Sequence, residues 1–492
     1  MVAMGKSAAP AASESRQGGL GFWTLVLTIF GSMIGSGVYD ISYQLGTVAS
    51  PGAAIIAFAI CYVGTLVSAF SLKNLLERDP EGDGLFCYAR RALGGFAEYM
   101  SAWGYWISGW VGNVSFAAMM MIALGTFFPE VFGDTGTNWP SIIVASIVMW
   151  TLYALVSRGV EKSVRVNTVI TIIKIVPLLL FIVLAVTCFN FGVFTTGFWT
   201  NYAGNMAAAE GGFDIRSVAS QVNNSMLSLI WVFIGVESVA LLSRHAVNRK
   251  VAGSATVVGL TLMTLMKFLI AVLPYGIMPA EEFVALGQPS VGQLYVHFIG
   301  PIGASFVQAA LIISIFGCWI AYTLMPTESI TYLADQHSLP EIFARKNKHG
   351  VATFSLFITV LLCQLLYISM HFTSDAYEFG YRLSSSAILI VWVFINLYQI
   401  RYTLDHPEAP GRTRNLVLGI VGLAYYLFAM FVSGFSYIML CSILWVVGIP
   451  FYYRAHRSAG ETRVFSGVDR LLVAAVCAMA AGGVVLLMTG IA

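Results

Sequence analysis

Phe30-Gly31-Ser32-Met33-Ile34-Gly35-Ser36-Gly37-Val38-Tyr39 puts three glycines and two serines into the middle of an apolar run. Two hundred residues later, Trp231-Val232-Phe233-Ile234-Gly235-Val236-Glu237-Ser238 repeats the Ile-Gly pair and adds a carboxylate. Glycine costs about 1 kcal/mol against alanine in a helix, and small residues also let helices approach closely, so tight packing is the plain alternative. Matched interruptions at corresponding places in two halves of a chain point further, to a pair of broken helices that meet at a binding site.

Where a helix unwinds, the free N–H groups of its second half can bind a carboxylate, and freed carbonyls can bind an ammonium or a cation. An α-amino acid carries both groups. The backbone at Ser36, Gly37 and Val38 is the expected carboxylate site, and carbonyls around Ile34 and Ile234 are the expected acceptors for the α-ammonium.

The rest of the chain suits that reading. Of 492 residues, 58% are hydrophobic and only 10% charged, with a mean hydropathy of +0.80. Soluble domains carry about 25% charge, so this is an all-α integral membrane protein. A span needs roughly 20 apolar residues, and thirteen such runs are present: 22–48, 51–72, 97–125, 139–157, 164–188, 217–243, 251–273, 301–334, 352–370, 377–400, 415–433, 436–453 and 470–490. Basic residues are retained on the cytoplasmic side. With the N-terminus inside, 22 of the 26 Lys and Arg fall in cytoplasmic pieces and only Arg216 lies opposite. Lys174, Lys267 and Arg382 lie inside runs.

The broken runs are the first and the sixth, so runs one to five and six to ten form inverted halves. The expected organisation is a disordered cytoplasmic tail at 1–19, a first repeat at 20–190, a second at 191–402, and additional C-terminal helices at 403–492. No cleavable signal peptide is read at the start. The expected location is a bacterial inner membrane, crossed many times.

Several functions are disfavoured. The net charge of +2 and the lack of a basic run argue against nucleic-acid binding. Seven cysteines stand singly, without CxxC spacing, and are read as packing residues. The seven histidines lack metal-ligand spacing, and no phosphate loop is found. No catalytic residue, metal or cofactor is expected.

The motifs GSMIGSGVY, Pro80-x-Gly82-x-Gly84 with Tyr88, SAWGYWISGWVGN from Ser101 to Asn113, WVFIGVES, and LPEIFARKNKHG from Leu339 to Gly350 recur in order along nearly the whole chain. This set resembles the amino acid–polyamine–organocation transporters, within them the basic amino acid/polyamine antiporters, and most closely the arginine/ornithine antiporter branch. The resemblance implies a five-plus-five inverted-repeat fold with broken first and sixth helices, about 13 spans and alternating access.

It also implies roles for single residues. Trp231 would cover the substrate, with lipid-facing or packing tryptophan as the alternative. Glu237 would act in gating or proton coupling, and a mid-span acid is costly enough to mark a path or a partner on its own. Tyr322 stands where the family commonly has a tryptophan against the substrate side chain. Either ring can stack on a guanidinium, tryptophan better. Glu328 is either a carboxylate near a basic side chain or an acid at the cytoplasmic helix end. Lys174 resembles the lysine that replaces a sodium site in many relatives, as a fixed cation or a proton carrier.

Asp40 adds either negative potential or a structural cap. Arg382, one turn after Glu378, reads as an i,i+4 ion pair. Lys267 reads as a snorkelling residue near the outer boundary.

The leading expectation is exchange of a cationic amino acid for its metabolic product, arginine for ornithine. Proton-coupled uptake, and exchange of lysine, histidine or tyrosine for the corresponding amine, stay open. From other classes, an amino-acid-sensing receptor, a channel and a membrane enzyme are weaker readings. The expected partners are small amino acids and the lipid bilayer, and a homo-oligomer is compatible with the chain.

Overall fold

The computed structural model describes residues 19–79, 84–133, 135–159, 164–200, 213–241, 246–372, 375–432 and 435–489. The tail expected at 1–19 therefore lies outside the described residues except for Gly19, as do Pro80, Gly82 and the Ser433-Gly434 pair where the eleventh run gives way to the twelfth.

Among the described residues the chain is helical, with isolated bridges at Leu20–Ala246 and Lys346–Ala352 in place of any strand. In order, the helices are α1 Phe22–Met33, α2 Ser36–Gly46, α3 Pro51–Arg78, α4 Leu85–Leu93, α5 Gly95–Gly125, α6 Pro129–Phe132, α7 Trp139–Ser157, α8 Val164–Cys188 and α9 Phe191–Thr195. They continue with α10 Ile215–Phe233, α11 Ser238–Leu241, α12 Arg249–Val272, α13 Ala280–Ala285, α14 Ser290–Asp335, α15 Thr353–Ser369, α16 Ala376–Asp405, α17 Arg412–Val432, α18 Phe435–Ser458 and α19 Gly467–Thr489.

The starts of these helices are written locally. Asn138 caps α7 by accepting from Ser141 N–H at 2.9 Å, with Pro140 in the first turn. Asp214, Asn248 and Asp375 cap α10, α12 and α16 in the same way. Such short polar side chains satisfy N–H groups that a helix start leaves without partners.

Among the described residues eleven helices are long and apolar enough to cross a membrane, or twelve spans if α1 and α2 count as one bent span. Of the thirteen runs read from the sequence, the one that does not pass is the sixth. It forms α10, but Ser217, Ser220, Gln221, Asn223, Asn224 and Ser225 make its first half polar, and the helix stops at Phe233. The eighth run begins at Pro301 as expected, yet helical structure starts earlier, at Ser290, and is interrupted at Gly300 with φ 77°.

Helix α5 is the buried axis, packed mainly against α14 and α16. Its glycines make close approach feasible. A Cβ on Gly109 would lie 1.8 Å from the Pro326 ring of α14, and one on Gly112 would lie 3.2 Å from Ser384 Oγ of α16. At the periphery, Ile143, Ile147, Val183 and Leu471 are exposed, an apolar surface that suits lipid rather than water.

Gly109→Ala should lower thermal stability by about 1–3 kcal/mol, the usual cost of overpacking a filled core. Gly21→Ala, whose added methyl meets nothing within 4 Å, should leave it unchanged. Thermal denaturation of the detergent-solubilised protein measures both.

Candidate functional site

Helix α1 stops at Met33, Ile34 leaves helical geometry with φ −94° and ψ 85°, and α2 departs at 53° to α1. Helix α10 stops at Phe233, and Ile234 turns to φ −60° and ψ 143°. Gly235 then takes φ 109°, which favours glycine. Any Cβ there would also sit 2.9 Å from the Ser32 carbonyl oxygen. The two interruptions touch: Ser32 Oγ lies 3.0 Å from Gly235 O and 3.0 Å from Ser238 Oγ.

A carbonyl in the last turn of a helix loses the N–H four residues on, and lipid offers no substitute. Here other helices supply donors. Lys174 Nζ of α8 donates to Gly31 O at 2.9 Å. Ile34 O, expected to receive a substrate ammonium, accepts from Cys318 Sγ at 2.9 Å and Ser314 Oγ at 3.3 Å, both on α14. Cys318 is thus more than a packing residue. At the other interruption, Lys267 Nζ of α12 donates to Val232 O. Lys267 is fully buried, so it does not snorkel; its stem runs inward to an acceptor created by the end of α10.

Trp231 lies on the first turn of α2. A Cβ on Gly37 would be 2.7 Å from its indole Cδ1, so glycine is what lets the ring come down onto that backbone. Ser36 and Val38, on either side of Gly37 in the chain, are buried. Trp231 is neither lipid-facing nor isolated: Phe116, Tyr322 and Tyr381 surround it at centroid distances of 5.6, 6.4 and 6.4 Å. Phe116 meets Tyr322 edge-on at 5.1 Å.

Tyr322 is held through its backbone. Pro326 has no N–H to give the Tyr322 carbonyl, and Asn113 Nδ2 of α5 donates there instead at 3.1 Å. Gly109, one turn earlier on α5, makes room for the proline ring. Asn113, Gly109 and Pro326 were visible as residue types but carried no signal that they work together.

Glu237 is buried and turns back on its own chain, where both carboxylate oxygens accept from Gly235 N–H at 3.1 Å. It lines a small cavity with Ser32, Tyr105, Gly235, Tyr322 and Pro326, among others. Glu328 does not line this cavity; it is exposed two residues past Pro326 on α14. Asp40 is buried and held by hydrogen bonds. It accepts from Gln288 Nε2 at 3.0 Å, Ser290 N–H at 3.3 Å and Gln44 Nε2 at 3.3 Å, joining α2 to the start of α14. Arg382 pairs with Glu378 at 2.5 Å, as its spacing suggested.

The sequence model of the family described as "Amino acid permease" matches residues 20–462. The chain belongs to the amino acid permease family. The "Arginine/ornithine antiporter" of Latilactobacillus sakei is 36% identical over 471 residues, 96% of this chain and 97% of that protein. The protein of that name from Pseudomonas aeruginosa is 34% identical, covering 92% of this chain and 94% of its own. The "Arginine/ornithine antiporter ArcD1" of Lactococcus lactis is 33% identical, covering 90% and 85%. With its many apolar helices the permease is a multi-pass membrane protein and a transporter rather than an enzyme.

Asn113→Leu should cost the permease on the order of 1–3 kcal/mol of stability, because the Tyr322 carbonyl would be buried without its donor. Asn113→Gln should recover part of the loss. A thermal-shift comparison of both variants with the parent checks this.

Proposed function

We propose that this permease exchanges arginine for ornithine by alternating access, with the substrate held where the two helix interruptions meet. The observation that carries the reading is Trp231 lying on the Gly37 backbone, next to Phe116 and Tyr322. That arrangement supports a site in which N–H groups of Ser36, Gly37 and Val38 hold the carboxylate and the aromatic rings receive a guanidinium or ammonium side chain. The names of the relatives support the substrate pair.

The cavity is only about 10 Å³, room for a single water. Substrate therefore enters only when the surrounding helices separate, and Trp231 is the group that must leave the Gly37 backbone. Carbonyls near Ile34 and Ile234 take the α-ammonium once Ser314 and Cys318 release Ile34. Glu237, which holds the Gly235 N–H, switches partner during the cycle and couples the cover to the cavity beneath it. Glu328 lies on the path between the cavity and one face of the membrane.

Lys174 serves as a fixed cation at the end of α1, which supports exchange without sodium. The organisation that fits is a first repeat at 20–190, an inverted second repeat at 191–402 and accessory helices at 403–492, in a bacterial inner membrane with the N-terminus cytoplasmic. The spacing of the interruptions and the distribution of Lys and Arg support it.

In proteoliposomes loaded with labelled arginine, external ornithine should release label quickly and buffer alone should not. Release without ornithine would point to uncoupled or proton-linked transport. Replacing sodium by choline should leave the rate unchanged. Gly37→Leu, which cannot coexist with Trp231 in its place, should reduce exchange by about 100-fold or more, as expected when reacting groups are displaced by an ångström or more; normal exchange by that variant would sink the assigned site.

A further inference from the structure

A lysine inside a membrane helix is expensive and usually faces a partner or a pathway. Among the described residues two lysines are buried, Lys174 and Lys267. The first already has a role at the end of α1. Lys267, on α12, has none in the scheme above.

Its surroundings are specific. The ammonium donates to Val232 O and lies 5.9 Å from the centre of the Phe233 ring. No carboxylate forms an ion pair with it among the described residues. Helix α12 packs against α1, α2, α3, α8 and α11, and the titratable groups that act on Lys267 from neighbouring helices are the thiols Cys61 of α3 and Cys318 of α14. Its counter-charge is therefore the carbonyl end of α10, the negative pole of that helix.

Val232 O is a free acceptor for a definite reason. In a continuous helix it would accept from Val236 N–H, but α10 ends one residue after Val232. Gly31 O stands likewise in the last turn of α1, and there Lys174 reaches it. Each interruption is thus closed at its carbonyl end by an ammonium from a different helix.

We infer that Lys267 is a built-in cation for the α10 interruption and a positioning residue for exchange: its ammonium fixes the last turn of α10, and with it Trp231, the residue before Val232. The inference deepens the exchange reading and rests on it for its transport consequence. A charge at this point also removes the need for a dissolved cation at the second interruption.

The test compares the parent with Lys267→Met and Lys267→Ala in arginine/ornithine counterflow and in thermal-shift measurements. Lys267→Met keeps the apolar stem and should lower the exchange rate by about tenfold or more, as for a buried acceptor left unmet. Lys267→Ala should lose exchange and regain a measurable part of it with ethylammonium or propylammonium, which should also raise its melting temperature and leave that of the parent unmoved. Equally large ethanol or propanol should do neither.

Exchange at the parental rate by Lys267→Met would overturn the inference, and so would an Ala variant that alkylammonium neither reactivates nor stabilises. If the Ala variant elutes aggregated, purification with and without propylammonium decides instead: recovery of a monodisperse peak supports the built-in cation, and its absence overturns it. A parent that fails to exchange arginine for ornithine would remove the transport reading alone, since the melting-temperature response of Lys267→Ala still reports on the ammonium.

Discussion

An interrupted helix in a membrane leaves carbonyl and N–H groups that lipid cannot satisfy, and the centre of this protein is organised around meeting that demand. At the end of α1, Lys174, Ser314 and Cys318 come in from α8 and α14. At the end of α10, Lys267 comes in from α12, while Glu237 turns back onto the N–H of Gly235. The interruptions also serve each other through Ser32, Gly235 and Ser238. Six helices, α1, α8, α10, α11, α12 and α14, are thereby tied to one small region.

This arrangement suits a machine that must bind and release. A hydrogen bond between protein groups is worth little net, because breaking it is repaid when another partner takes its place. A substrate carrying both a carboxylate and ammonium groups can substitute for protein donors and acceptors at such a site. Lysines are different in kind. A buried ammonium cannot leave its acceptor cheaply, so in the proposed cycle Lys174 and Lys267 hold the carbonyl ends in place while Ser314, Cys318 and Glu237 exchange partners.

Much of this was legible in the residues. The paired Ile-Gly interruptions located both helix ends at Ile34 and Ile234, because glycine is costly in a helix interior and recurs at the matched place in both runs. The i,i+4 spacing of Glu378 and Arg382 was enough for their ion pair, since both sit on one helix face. Other features had no local signal. Lys267 looked like a boundary residue because its acceptor belongs to another helix. Asp40 looked equally like part of a binding site or a cap, and its partners Gln288 and Ser290 lie some 250 residues away. Glu328 and Tyr322 lie on the same helix, yet only Tyr322 lines the cavity.

By itself, then, the sequence determined what depends on the order of residues along one helix: which runs enter a membrane, where a helix must stop, and which short polar residue caps its start. Only the tertiary structure decided which side chain answers each stranded backbone group. Lys174 meets Gly31 across 143 positions and Cys318 meets Ile34 across 284, contacts set by how α1, α8 and α14 pack against one another. Periodicity reports the face of a helix, whereas the partner of that face follows from close packing between helices distant in sequence.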